Sequence, residues 1–292
     1  MGGPVCRLGH SHVLTPPEPR LGGTTSWLEV DGGHLAVERV GRGPAVVLLH
    51  GWTLDRRMWT MQARALANRF TLIAIDRRGF GQSNAAPDRL RETDDLARLA
   101  DRLELASFHL VGMSQAGATA IAYAQQHRDR VITLVLQGIS LAEIPDHANA
   151  SDRIPLSDYA ELVRQGMLAS MKRHWAQHPL MTGLVGEAAE ISAAMLADYD
   201  GRDLIAGPAG PSARLDAVAT LCMPVLGMTG CQDTPWRRDV TAAIARTAPF
   251  GQARFIREAG HMCNLSHPVE FNAALAAFLN RPLQPVPDAT ND

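Results

Sequence analysis

The chain has 292 residues, 46% hydrophobic and 20% charged, with a formal net charge of −2 at pH 7. That length is enough to bury a sizeable core, and the near-neutral charge offers no basic field for nucleic acid and no polybasic patch for a membrane surface. Cys6, Cys222, Cys231 and Cys263 form no C-x-x-C pair. Residues 1–20 carry no apolar leader, so the expectation is reduced thiols in a cytoplasmic protein.

Residues 1–23 and 282–292 are rich in Gly, Pro and polar residues and read as tails. Cys6, His10 and His12 in the first of them lack a fourth ligand or a rigid frame, and no metal is assigned. TSWLEV and HLAVERV then flank Val30-Asp31-Gly32-Gly33, a hairpin signal between two strands. AVVLLH (45–50) is a continuous apolar run suited to a strand buried on both faces. A helix is expected near 57–68, a strand at 70–76, a charged amphipathic helix at 93–104, and a strand at 108–113. Helix 115–127 and strand 130–137 follow. This alternation predicts a mostly parallel, doubly wound sheet covered on both faces.

After Gly138 the rhythm breaks. Residues 140–215 contain helical, Met- and His-bearing stretches without buried-strand runs, the footprint of a small helical cap inserted after the sixth strand. Strand 223–230, helix 237–247, strand 253–258 and helix 268–280 complete a core of residues 24–139 and 216–281 with eight strands. In the insertion, Met167, Met171, Trp175 and Met181 could roof a substrate or simply join the helices to one another.

LVGMSQAGATA (110–120) places Ser114 at a strand-to-helix turn, where it is either a nucleophile or a helix N-cap. As a nucleophile it needs a base and a carboxylate to orient that base. Asp233 follows a buried strand in GMTGCQD, and His261 follows another in REAGHMC, giving the chain order Ser, Asp, His. Asp239 is the nearest substitute acid but falls in a predicted helix. The oxyanion donors would be the backbone amides of Gln115, at the start of a helix, and of Trp52, after His50-Gly51. His50 reads as a hydrogen-bonder that fixes that loop. Asp76, Arg77 and Arg78 read as loop organisers, and Cys231 and Cys263 as packing near the acid and base.

HGW, IDRRGFGQS, GMSQAG, GCQD and AGHM occur in one order over residues 24–281, and in this the chain resembles the α/β-hydrolase superfamily. Within it, Asp55-x-Arg57-Met58-Trp59 and AGHMCNLSHPVEFNAAL resemble 3-oxoadipate enol-lactonases and related esterases, and DRRGFGQS the cofactor-free haloperoxidase–esterase branch. The chain departs from the pattern at Ala116, where the elbow has glycine, and at Gly51, where enol-lactonases often have serine. The resemblance implies a serine hydrolase acting on a small, largely apolar ester or lactone, without cofactor, with Ser114, Asp233 and His261 as triad. Trp52, Trp175 and Met262 are the expected substrate contacts.

Rival readings stay on the same fold: a C–C bond hydrolase of the meta-cleavage type, a cofactor-free haloperoxidase or perhydrolase, or a non-catalytic small-ligand receptor. Serine at the elbow, where haloalkane dehalogenases and epoxide hydrolases carry aspartate, speaks against those two classes. No nucleic-acid or membrane partner is expected, and the oligomeric state is left open.

Overall fold

The computed structural model describes residues 21–144, 153–206 and 210–281. Cys6, His10 and His12 lie outside them, as does most of each expected tail. Eight strands form one sheet: β1 (Thr24–Val30), β2 (Gly33–Gly41), β3 (Ala45–Leu49), β4 (Thr71–Ile75), β5 (Phe108–Met113), β6 (Val131–Gln137), β7 (Val225–Gly230) and β8 (Gly251–Ile256). Their order is β1-β2-β4-β3-β5-β6-β7-β8. β2 pairs antiparallel with both β1 and β4, and every other pairing is parallel.

The β1–β2 hairpin turns on Asp31-Gly32, with Val30 opposite Gly33 and Gly32 at φ +80°. The central strands read as apolar runs because alternate residues face different layers. Val47, Leu49, Ile73, Ile75, Leu134 and Leu136 join one buried cluster, and Val46, Leu48, Leu72, Ala74 and Val135 join the other. Helices α1 (Thr60–Leu66), α2 (Glu92–Arg102) and α3 (Ala116–Gln126) alternate with these strands. The first of them is entered through a 3₁₀ turn at Arg56–Trp59 capped by Asp55.

Between β6 and β7 the described chain forms α4 (Leu156–Arg164), α5 (Leu168–Trp175), α6 (Gly186–Asp198), α7 (Arg202–Ile205) and α8 (Leu215–Ala219). The last of these joins the main core, since Val218 and Ala213 pack in the first cluster. The helices from α4 to α7 build a third cluster of Tyr159, Met171, Trp175, Leu180, Leu196 and Tyr199 around Trp52 and Phe80 of the sheet loops. Each large apolar side chain buried there contributes about 1.5–3 kcal/mol. This segment is therefore seated on the loops at the carboxyl edge of the sheet. The described helices are too short or too polar to cross a membrane.

Three details differ from the expectation. The last strand is Gly251–Ile256, two residues earlier than 253–258, because its register begins at Gly251 opposite Val225 and the chain turns at Glu258, φ +57°. Helix α9 (Pro235–Thr247) starts before 237, with proline in its first turn and Thr234 as N-cap. A short helix α10 (Cys263–Ser266) precedes α11 (Pro268–Leu279).

Candidate active site

In the sheet order, β3 lies between β4 and β5, so the chain leaves it toward opposite sides and opens a crevice at the carboxyl ends. The loop after β3 carries Trp52, and the turn after β5 carries Ser114. Ser114 has φ +51° and Thr53 has φ +61°. A non-glycine residue in this region costs about 1–3 kcal/mol unless its surroundings hold it. Ser114 is held by its N–H, which donates to Gln137 O at 2.7 Å, and by its carbonyl, which accepts from Gly117 N at 3.0 Å.

The elbow needs small neighbours. A Cβ on Gly112 would lie 2.8 Å from Ala120 Cβ and 3.0 Å from Ala116 O, and one on Gly117 would overlap Ile139. Ala116 is wholly buried in the core beneath the turn, so its methyl group is accommodated.

Asp233 sits three residues beyond β7, and His261 lies ahead of α10. His261 Nδ1 is 2.9 Å from Asp233 Oδ2. An ionised carboxylate only accepts, so Nδ1 carries the proton and Nε2 is left as the basic nitrogen. Thr229 Oγ1 donates to the same oxygen at 2.5 Å, and Thr234 N to Oδ1 at 2.7 Å. Burial alone would raise the Asp233 carboxyl, but its bonds with His261 and Thr229 and the charge of Arg237 outweigh this and hold it below the ordinary range. Asp239 lies within α9, as expected.

Gly138, at φ +56°, leaves room for the imidazole: a Cβ there would lie 2.7 Å from His261 Cε1. Its carbonyl accepts from Arg237 Nη1 at 3.0 Å. Below the ring, Gln137 Nε2 donates to Asn264 Oδ1 at 2.9 Å and to His261 O at 3.3 Å. Gln137 thus touches the serine through its carbonyl and the histidine through its amide. Gln137, Thr229, Arg237 and Asn264 carry no role in the sequence pattern, and Gly138 stands out there only as the point where the strand rhythm breaks.

On the other side, Arg77 N donates to His50 Nε2 at 2.9 Å, which leaves His50 Nδ1 to donate to Gly51 O at 2.8 Å. Burial, reinforced by Arg77, pushes the His50 pKa well down, consistent with this neutral tautomer. Arg77 also donates to Gln115 Oε1 at 2.8 Å and to Glu92 Oε1 at 2.9 Å. It therefore connects the loop of Trp52 to the residue after Ser114. Asp76 accepts from the backbone of Arg56 and Gln82, and Arg78 pairs with Asp95. These three residues organise loops.

Ser114 and His261 line one narrow cavity together with Trp52, Leu54, Trp175 and Met262. Met181 completes it from the helical segment, whereas Met171 packs in the aromatic cluster and Met167 is 43% exposed, contributing to neither. Trp175 does both, lining the cavity and packing on Trp52 at 4.8 Å between ring centroids. Cys263 is fully buried, and burial pushes its thiol up, which marks it as an inert packing residue. Among the described residues no group of His, Cys, Asp and Glu is arranged to hold a metal ion.

Residues 44–268 match the family described as the alpha/beta hydrolase fold. The chain belongs to this family. A fluoroacetate dehalogenase from Burkholderia sp. is 36% identical over 120 residues, 38% of this chain and only 40% of that protein. Among solved structures, a thermophilic esterase from Thermogutta terrifontis is 27% identical with a TM-score of 0.73, covering 88% of this chain and 98% of that one. The enol-lactonase from Burkholderia xenovorans LB400 is 21% identical with a TM-score of 0.70, covering 88% of this chain and all of the other, a likeness that shows the fold. The α/β hydrolase thus has an esterase and an enol-lactonase among its structural neighbours, as the sequence resemblance implied.

Proposed function

We propose that the protein is a serine hydrolase that cleaves small, uncharged carboxylic esters or lactones. The observation that carries this reading is the shared cavity: the hydroxyl-bearing Ser114 and the imidazole of His261 border one apolar space, and that imidazole is oriented by Asp233. Apart from His261, no ionisable side chain among the described residues lines it, which favours an apolar acyl group over a charged one.

In this reading His261 Nε2 takes the Ser114 proton as Oγ attacks the carbonyl. The amides of Trp52 and Gln115 stabilise the tetrahedral oxyanion, and the imidazolium then protonates the leaving alkoxide. Water, deprotonated by His261, releases the acid from the acyl-enzyme. Asp233 keeps the imidazole in the Nδ1–H tautomer throughout. Trp175 and Met262 shape the acyl side. The helices between β6 and β7 act as a cap that sets the cavity's size.

The deciding experiment compares hydrolysis of a short p-nitrophenyl ester and a small enol-lactone by wild type and Ser114→Ala. Turnover that disappears in the variant is expected, and the ratio of the two rates ranks ester against lactone. Turnover that persists in Ser114→Ala, or wild type that neither turns over nor is labelled by a fluorophosphonate, removes Ser114 as nucleophile.

A further inference from the structure

Two consecutive residues of the loop after β3 are each gripped by the helical segment inserted more than a hundred positions later. Trp175 Nε1 donates to Thr53 Oγ1 at 2.7 Å. Trp52 Nε1 donates to Asp203 Oδ2 at 2.8 Å. The other oxygen of Asp203 accepts from Tyr199 OH at 2.5 Å. Both carboxylate oxygens are thus occupied by neutral donors, and the charges of Arg77 and Arg89 act on the group only through space, with no direct ion pair among the described residues.

The surroundings make this an expensive place for a carboxylate. Trp52 packs against Tyr199 and Trp175, with ring centroids 6.1 and 4.8 Å away, and Phe80 stacks on Tyr199 at 6.2 Å. Withdrawing an ionised group from water into such a setting is costly unless hydrogen bonds replace the solvent, and burial duly pushes the Asp203 carboxyl upward. A neutral residue would pack the cluster at lower cost. What Asp203 provides, and an apolar residue would not, is a fixed acceptor for the Trp52 indole.

Fixing that indole matters because the indole is rigid and its backbone is not at rest. Thr53, the next residue, has φ +61°, so the loop would relax if released. With Nε1 held at one end and Cα at the other, the plane of the Trp52 side chain sets where its own peptide lies. Resting on the serine-hydrolase reading above, we propose that Asp203 is a positioning residue that, through the Trp52 indole, fixes the backbone amide offered to the substrate oxyanion. The carboxylate does not touch substrate. Its effect should appear in the chemical step, since displacing a catalytic group by about 1 Å can cost about 100-fold.

The test is a double-mutant cycle on short-ester hydrolysis with Asp203→Leu, Asp203→Asn and Trp52→Phe, with thermal melts alongside. Asp203→Leu should lower kcat about 10- to 100-fold with KM changed little. Asp203→Asn, which keeps an acceptor for the indole and a donor for Tyr199, should restore most of that loss. In the Trp52→Phe background, where no indole N–H remains, Asp203→Leu should cost nothing further. An equal loss in both backgrounds, or a change confined to KM or to melting temperature, would overturn the proposal. Asp203→Ser, which shortens the acceptor out of reach, repeats the cycle if the leucine variant does not fold. Fluorophosphonate labelling of Ser114 separates the two levels. Wild type that labels readily while Asp203→Leu labels and turns over equally fast sinks the positioning role alone. Wild type that neither labels nor turns over sinks the hydrolase reading with it.

Discussion

The two sides of the candidate site are built differently. The acid–base side, Asp233 and His261, comes from two loops at neighbouring strand ends, and its partners Thr229, Thr234 and Gly138 all lie on the same sheet edge. The side carrying Trp52 and Gln115 depends on distant chain: Arg77 behind it, and Trp175 and Asp203 above it. One side is a local consequence of where strands end. The other exists only when three remote segments have packed together, so it should be the side more easily disturbed without unfolding the core.

The acid–base side should show the largest effect. Asp233→Asn removes the group that fixes the Nδ1–H tautomer, and kcat should fall about 10⁴-fold. Asp239→Asn, on the adjoining helix, should stay within a few-fold of wild type, and the reverse ranking would move the acid. Next comes Arg77→Met on the other side. Glu92 is 4% exposed and pairs with Arg77, and stranding a buried charge costs about 3–5 kcal/mol. Urea melts should show that loss, with Arg77→Lys recovering only part because it cannot reach Glu92 and Gln115 with one fork. Gly138→Ala is smaller: its methyl group would press on the imidazole at 2.7–2.8 Å, and a drop of about 10- to 100-fold in kcat is expected with a modest change in melting temperature. Loss of activity without any shift in KM would mark it as a fault of imidazole placement.

The same contrast explains what the sequence made legible. The strands from β3 to β7 were readable because burial on both faces forces uninterrupted apolar runs, and Ser114 and Asp233 follow such runs. The edge strand β8 was misplaced by two residues because its exposed side chains, with burial limited to Ile256, leave no strong pattern. Arg77 was read as a loop organiser, but its links to Gln115 and His50 depend on which loops meet, and local spacing does not encode that. Asp203 was invisible for a stronger reason. In GRDLI it looks like any surface acid, and only packing brings it to the indole of residue 52. Trp175 was recognisable as a large apolar residue, but its donor bond to Thr53 was not.

The smallest expected effect is also the one that sets the two carboxylates most directly against each other. Asp233 is held below the ordinary range and Asp203 is pushed above it, burial being the leading influence at both and overcome only where His261 and Thr229 supply donors. In the unfolded chain each titrates near about 3.9. A lowered folded value means Asp233 stabilises the fold at neutral pH, and that contribution is lost as the pH falls through about 4 and below. A raised value means the folded protein holds the Asp203 proton at pH values where the unfolded chain has released it, so stability is lost as the pH rises through that window. Melting temperatures measured from pH 7 down to pH 3 should therefore diverge in opposite senses. The difference between Asp233→Asn and wild type should be most negative at neutral pH and shrink on acidification. The difference between Asp203→Asn and wild type should grow more positive as the pH rises. Parallel slopes for the two variants would mean that both carboxylates feel the same surroundings, and the distinction between a locally satisfied side and a remotely assembled one would have to be given up.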